Sequence, residues 1–213
     1  MKIRMTLLLF VALPLVTVEV TQAQTGGWDL WEMSYAERAY TGPETAVVLV
    51  IPDGSGAALT NAAIVGSTVD ASITLYLLDW ALAPVANFPR EDMWFESADG
   101  GLAMCTAGTI ADANTNANGE AFWVQPLRAG GASEALTVVM INGAALVSGA
   151  GLAISFNSPD INGDGVVNLT DVTLFATDFY GGVYAFRSDF HYDGDINLSD
   201  VLPLVHGLGS SCP

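Results

Sequence analysis

Basic residues are scarce in this chain. Its 213 residues include 6 Lys and Arg against 23 Asp and Glu, a formal net charge of −17. A surface of that sign repels phosphate backbones and anionic lipid, so it disfavours nucleic acid and anionic membrane as partners and attracts cations. Histidine is almost as rare, with His191 and His206 the whole supply. No Ser/His/Asp order, H-E-x-x-H pattern or Gly-rich phosphate loop can be assembled, and the chain reads as non-enzymatic. Glu91 and Asp92 imitate a glycosidase dyad only in being neighbouring carboxylates, and beside Pro89 they read as a solvated turn. No apolar run reaches the roughly 20 residues of a membrane-spanning helix, so insertion is excluded as well. The only two cysteines, Cys105 and Cys212, leave three arrangements open: an intramolecular bridge, two free thiols, or an intermolecular link through Cys212. An intramolecular bridge would tie the C-terminus back onto the earlier part of the chain.

The N-terminus states a compartment. Lys2 and Arg4 precede an almost wholly apolar stretch over residues 6–16, and Thr21-Gln22-Ala23 ends on the small residue a signal peptidase accepts. Residues 1–23 read as a secretory signal, which predicts a secreted or cell-surface protein and suits a disulfide. Subtracting Lys2, Arg4 and Glu19 from the 6 basic and 23 acidic residues leaves 4 against 22, a net charge of −18 with no lysine. Few of the acids lie in runs, so the pattern is that of a folded acidic chain and not of a disordered tail.

What is abundant near the C-terminus is oxygen. Residues 160–171 read D-I-N-G-D-G-V-V-N-L-T-D and residues 189–200 read D-F-H-Y-D-G-D-I-N-L-S-D. The two stretches start 29 residues apart and agree at positions 1, 5, 6, 9, 10 and 12. A 12-residue EF-hand loop wraps one hard cation with this spacing, and Gly165 or Gly194 at position 6 permits its sharp turn. The first loop offers Asp160, Asn162, Asp164, the main-chain carbonyl of Val166, Asn168 and Asp171. The second offers Asp189, Asp193, the carbonyl of Asp195, Asn197 and Asp200, with His191 at position 3. Ca²⁺ takes oxygens, and an imidazole nitrogen serves it poorly, so two sites are expected and the second is the weaker. Without a metal the same residues would form two Asx-type turns.

Each loop leads into a short helix. Val172, Leu174, Phe175 and Phe179 stand at near-helical spacing before Gly181-Gly182. Leu198, Val201, Leu202, Leu204 and Val205 repeat the arrangement up to Gly207, with Pro203 fitting only a first turn. No long amphipathic helix precedes either loop: 152–157 reads as a strand and 181–188 as a turn-rich connector. The unit is loop then helix, twice.

These features make residues 159–213 resemble a dockerin domain, whose pattern is a D-x-N-x-D-G-x-x-N-x-x-D loop followed by a helix, in duplicate. The resemblance implies a calcium-dependent module that docks onto a protein partner. In dockerins that bind cohesin, small hydroxyl residues at loop positions 10 and 11 and basic residues along the helix make the contact. Here those positions are Leu169-Thr170 and Leu198-Ser199, and neither following helix holds Lys or Arg. The expected partner is therefore cohesin-like or a second copy of the chain.

The remainder, 24–158, alternates short apolar stretches with turn signals. Strands are expected at 46–51, 73–78, 93–96, 121–124, 136–141 and 152–156, separated by Gly- and Asp-rich segments. No βαβ alternation is visible, so the expected fold is mainly β with small α: an antiparallel β-sandwich followed by the loop-helix module. Residues 72–78, the turn at 79–85, 93–96 and the D-A-N-T-N-A-N-G-E-A-F-W of 112–123 resemble bacterial immunoglobulin-like domains of the invasin type, with Leu82 and Asn116 departing from its pattern. That resemblance implies an immunoglobulin-like sandwich serving as a spacer or adhesive domain; it does not extend to 24–71. Trp28, Trp31, Tyr35 and Tyr40 either stack on sugars or a protein, or cover the edge of the β region. The expected function is calcium-dependent docking or assembly. Its rivals are an accessory or catalytic part of a secreted polysaccharide-degrading system and a self-associating surface protein.

Overall fold

The computed structural model describes residues 33–146 and 151–213. The signal segment, Trp28 and Trp31 lie outside the described residues. Within them the chain is mainly β, with two short α-helices near the C-terminus. Its strands are β1 (Tyr35–Arg38), β2 (Ala46–Leu49), β3 (Ala62–Ile64), β4 (Ser67–Val69), β5 (Ile73–Tyr76), β6 (Met93–Ser97), β7 (Leu102–Met104), β8 (Glu120–Trp123), β9 (Ala129–Gly131), β10 (Thr137–Ile141), β11 (Ala144–Ala145) and β12 (Ile154–Asn157). All six apolar stretches picked out in the sequence overlap a strand.

Period-two alternation explains the half-buried strands. Met93, Phe95 and Ser97 of β6 are buried while Trp94 and Glu96 are not, and the indole of Trp94 donates to Glu96 Oε1 at 2.8 Å. β5 and β10 alternate in the same way. β12 is buried at all four positions, the mark of a strand covered on both faces.

Strand order is β1-β5-β8, β11-β10-β6, β12-β2-β3-β4 and β7-β9. Pairing is antiparallel except between β12 and β2, which run parallel with Phe156 opposite Val48. That pair departs from the expected all-antiparallel order. A parallel pair needs a crossover, and here most of the β region lies between the two strands. Residues before 72, which the immunoglobulin-like resemblance does not cover, supply β1 beside β5 and the β3–β4 hairpin.

Phe95, Trp123 and Phe156 come from three different sheets and meet in one core. Phe95 stacks on Phe156 at 5.6 Å and meets Trp123 edge-on at 6.0 Å. Trp123 is fully buried and its indole N–H is satisfied by the Thr109 carbonyl at 2.8 Å.

The helices are α1 (Leu169–Gly181) and α2 (Leu198–Gly207). A single 3-10 turn at Phe186–Ser188 precedes the second loop, and β12 precedes the first, so no helix enters either loop. Pro203 lies in the second turn of α2 and not in its first. It removes one main-chain donor from a helix only ten residues long.

Candidate functional site: two repeated loops

The 29-residue repeat is carried into three dimensions almost bond for bond. In the first loop Asp160 accepts from the main-chain N–H of Asp164 at 3.2 Å and of Gly165 at 2.9 Å. In the second, Asp189 accepts from Asp193 at 3.2 Å and Gly194 at 3.0 Å. Asp171 accepts from Asn162 N–H at 3.2 Å and Asn168 N–H at 2.9 Å, and Asp200 from His191 N–H and Asn197 N–H, both at 2.9 Å. Val166 N–H donates to Asp164 at 3.0 Å, as Asp195 N–H does to Asp193 at 3.1 Å. Even the backbone sign repeats. Position 4 has positive φ in both loops (Gly163 68°, Tyr192 53°), and so does position 6 (Gly165 86°, Gly194 90°). Tyr192 thus holds a conformation that strongly favours glycine.

Loop and helix share residues. Asn168 and Asn197, at position 9, are also the N-caps of α1 and α2, accepting from Thr170 N–H at 2.7 Å and Ser199 N–H at 2.8 Å. Asp171 and Asp200, at position 12, are the N3 partners that complete each capping box. Asn168 also donates through its amide to the Val166 carbonyl at 3.1 Å. A carboxylate has about four acceptor sites, so the two bonds each Asp takes from the backbone leave lone pairs for another partner.

The loops differ at position 3. Asn162 Oδ1 accepts from Asp164 N–H at 3.1 Å and its amide donates to Asp164 Oδ2 at 2.9 Å. His191 keeps the main-chain bond to Asp200, but its side chain is exposed and supplies no such oxygen. Asn197 instead donates to Asp193 Oδ2 at 3.3 Å. Asp195 is exposed at position 7.

Electrostatics sets these loops apart from the other acidic turns. Asp160, Asp171, Asp189 and Asp200 are each 0 % exposed. Among the described residues the ion pairs are Arg90–Glu91 and Arg187–Asp178, which reach none of the four. Burial pushes the Asp160 carboxyl above the ordinary carboxylate range; the Gly165 N–H pulls it back, and the charges of Asp171 and Asp164 push it up again. Asp200 is raised chiefly by burial, with the charges of Asp189 and Asp193 adding to it. Carboxylates held this way call for a positive charge. Among the described residues no three His, Cys, Asp or Glu side chains converge as a ready-made ligand set. The oxygens gathered here are instead shared among carboxylates, amides and main-chain carbonyls.

The apolar residues repeat too. Ile161 and Phe190 occupy position 2 of their loops, Phe175 and Leu204 stand at matching places in the helices, and these four form the second buried cluster. Phe175 stacks on Phe190 at 5.9 Å. Between the helices an apolar groove of about 280 Å³ opens, lined in part by Val172, Phe179, Leu198 and Val205. Leu198, Leu202, Val205 and Tyr180 are exposed beside it.

Several contacts fasten this unit to the β region. Asp160 sits against β9: its carbonyl accepts from Gly131 N–H at 2.7 Å, and a Cβ at Gly130 would overlap its carboxylate. Asn157 Nδ2 donates to the Asp189 carbonyl at 2.6 Å, and Tyr184 OH donates to Asp189 Oδ2 at 3.0 Å. Ser210 Oγ donates to Asp53 Oδ2 at 2.9 Å. The tail runs beside the first loop, with Val167 N–H donating to Ser210 and Cys212 N–H to Gly165, each at 2.9 Å. Cys212 then forms a disulfide with Cys105, Cα atoms 5.4 Å apart, the intramolecular arrangement of the three that the sequence allowed. Gly130, Asn157 and Tyr184 lie outside both loop patterns, which is why pattern reading passes over them. Among the expected surface aromatics, Tyr35 stacks on Tyr76 at 4.7 Å across the β1–β5 pair, and the Arg38 guanidinium lies 5.0 Å from the Tyr40 ring centre.

No family model, curated protein or solved structure matches the chain. No helix among the described residues is long and apolar enough to cross a membrane.

Proposed function

We propose that this is an exported, non-catalytic calcium-binding protein whose C-terminal loop-helix pair docks onto a protein partner, with the β region as a spacer or adhesive sandwich. The observation that carries this reading is the duplicated loop with two fully buried carboxylates in each copy and, among the described residues, no arginine or lysine paired to them. Asp160, Asn162, Asp164, the Val166 carbonyl, Asn168 and Asp171 would hold one Ca²⁺. Asp189, Asp193, the Asp195 carbonyl, Asn197 and Asp200 would hold the other, with His191 the weak member. The donor set fits, because it is all oxygen in the first loop and each buried carboxylate keeps lone pairs free. Calcium would supply the positive charge that offsets the carboxylates.

The loop residues themselves join that charge to the helices. Asp171 and Asp200 are at once proposed ligands and helix caps, so holding them in place fixes the first turns of α1 and α2. The apolar groove between those helices is then the docking face, and its lack of basic residues favours an apolar partner surface over an acidic one. The dockerin-like pattern of the loops and the invasin-like turns of the β region support the same reading.

Circular dichroism and calorimetric calcium titration of the full chain test it. Chelation is expected to remove helical signal and lower the melting temperature, with two binding events on re-addition. Identical spectra and melts with and without a chelator would refute it.

A further inference from the structure

We infer that the cleft between the β3–β4 hairpin and the second loop binds a neutral, polyhydroxylated ligand, a short sugar. The cleft has a volume of about 660 Å³, within the range of sites for small organic ligands. It lies apart from the helix groove, but His191, Tyr192 and Asp193 of the second loop form one wall, so the inference rests on that loop being folded and binding is measured with calcium present.

The observation that singles it out is Asn157. This side chain is fully buried, lines the cleft, and leaves its Oδ1 as a buried acceptor without a partner among the described residues. Its orientation is fixed, because Nδ2 donates to the Asp189 carbonyl and a flipped amide would set two acceptors against each other. A buried acceptor left unpaired is destabilising, so it calls for a donor arriving through the cleft.

The rest of the lining selects the class of donor. Asn61, Ser67 and Thr68 are neutral groups that both donate and accept, as sugar hydroxyls do. Val47 and Leu49 give an apolar floor for the C–H face of a pyranose. Among the described residues no Lys or Arg lines the cleft and Asp193 does, which disfavours phosphorylated or carboxylated ligands.

Saturation-transfer NMR and calorimetry on the full chain with cellobiose, maltose and lactose at millimolar concentration test the site. At least one sugar is expected to bind saturably. Thr68→Trp, a change at an exposed rim position, is expected to weaken that binding about tenfold or more, equivalent to about 1.4 kcal/mol, while leaving the melting temperature unchanged. Asn157→Ser should weaken it too; if that variant fails to fold, Thr68→Trp carries the test alone. The proposal is overturned if none of the three sugars binds saturably, if Thr68→Trp binds like the wild type, or if N-acetyl-trialanine amide binds in preference to all three. A chelator melt run in parallel keeps this outcome separate from the calcium reading.

Discussion

Gly130→Ala is the sharpest single perturbation this structure offers. Gly130 lies on β9 and, unlike Gly131, its φ is not positive, so alanine meets no backbone penalty there. The added Cβ would overlap Asp160 Oδ2 and stand 2.6 Å from its Cγ, so the carboxylate must move by roughly 1–2 Å, judged against ordinary van der Waals contact of about 3.5–4.0 Å. That movement breaks or stretches the bonds from Asp164 and Gly165 N–H. Hydrogen bonds to a charged group contribute about 1.5–3 kcal/mol each. Loss of one bond and weakening of the other predicts a destabilisation of about 2–4 kcal/mol by the same scale. The first loop should therefore lose calcium affinity by roughly two orders of magnitude at about 1.4 kcal/mol per tenfold, while the second loop titrates as before. Chemical denaturation in chelator reads the first effect and calorimetric calcium titration the second. A variant that melts and titrates like the wild type would show that Asp160 is not seated on β9 as described.

Two other changes test different parts of the unit. His191→Asn restores the position-3 oxygen and the bond that Asn162 makes to Asp164 N–H; it should raise second-loop calcium affinity about tenfold, or about 1.4 kcal/mol, and unchanged calorimetric affinity counts against the ligand assignment. Asp178 is held below the ordinary carboxylate range, first by Arg187 and then by Ser188. A carboxyl lowered on folding contributes stability above its unfolded pKa of about 3.9 and loses it as pH falls through the folded value. Asp178→Asn should thus cost about 1 kcal/mol near neutral pH, discounted because Arg187 is 43 % exposed, and the gap to wild type should close in acid. A gap independent of pH in denaturation curves would remove the charge argument.

Much of this was legible in the sequence, for physical reasons that differ by element. The loop-helix repeat could be read because position 6 demands left-handed backbone, position 9 demands an N-cap, and both residue types are few. β5, β6, β8 and β10 could be read because alternation marks one buried face, and β2 and β12 because a short continuous apolar run marks a strand covered on both faces. β1 and β4 could not: Tyr35–Arg38 and Ser67–Val69 carry polar residues at most positions and become strands only through neighbours. The parallel β12–β2 pair was hidden because partners so far apart leave no local mark. Gly130 and Asn157 were invisible because a glycine that seats a carboxylate, or an amide that spans two units, is defined by what lies opposite it. Pro203 was misplaced by one turn, since a helix held by a capping box and the buried Leu204 tolerates a missing bond.

The disulfide has a mechanical consequence. The helical unit leaves the β region after Asn157 and returns to it at Cys105 through Cys212, so it hangs from two covalent attachments and not from one linker. A pull applied at α1 or α2 would divide between two load paths, and the tail could not peel away from the first loop without stretching a bond. A protein that grips a partner by its helices while anchored elsewhere would then slip at the grip before its own end unravelled.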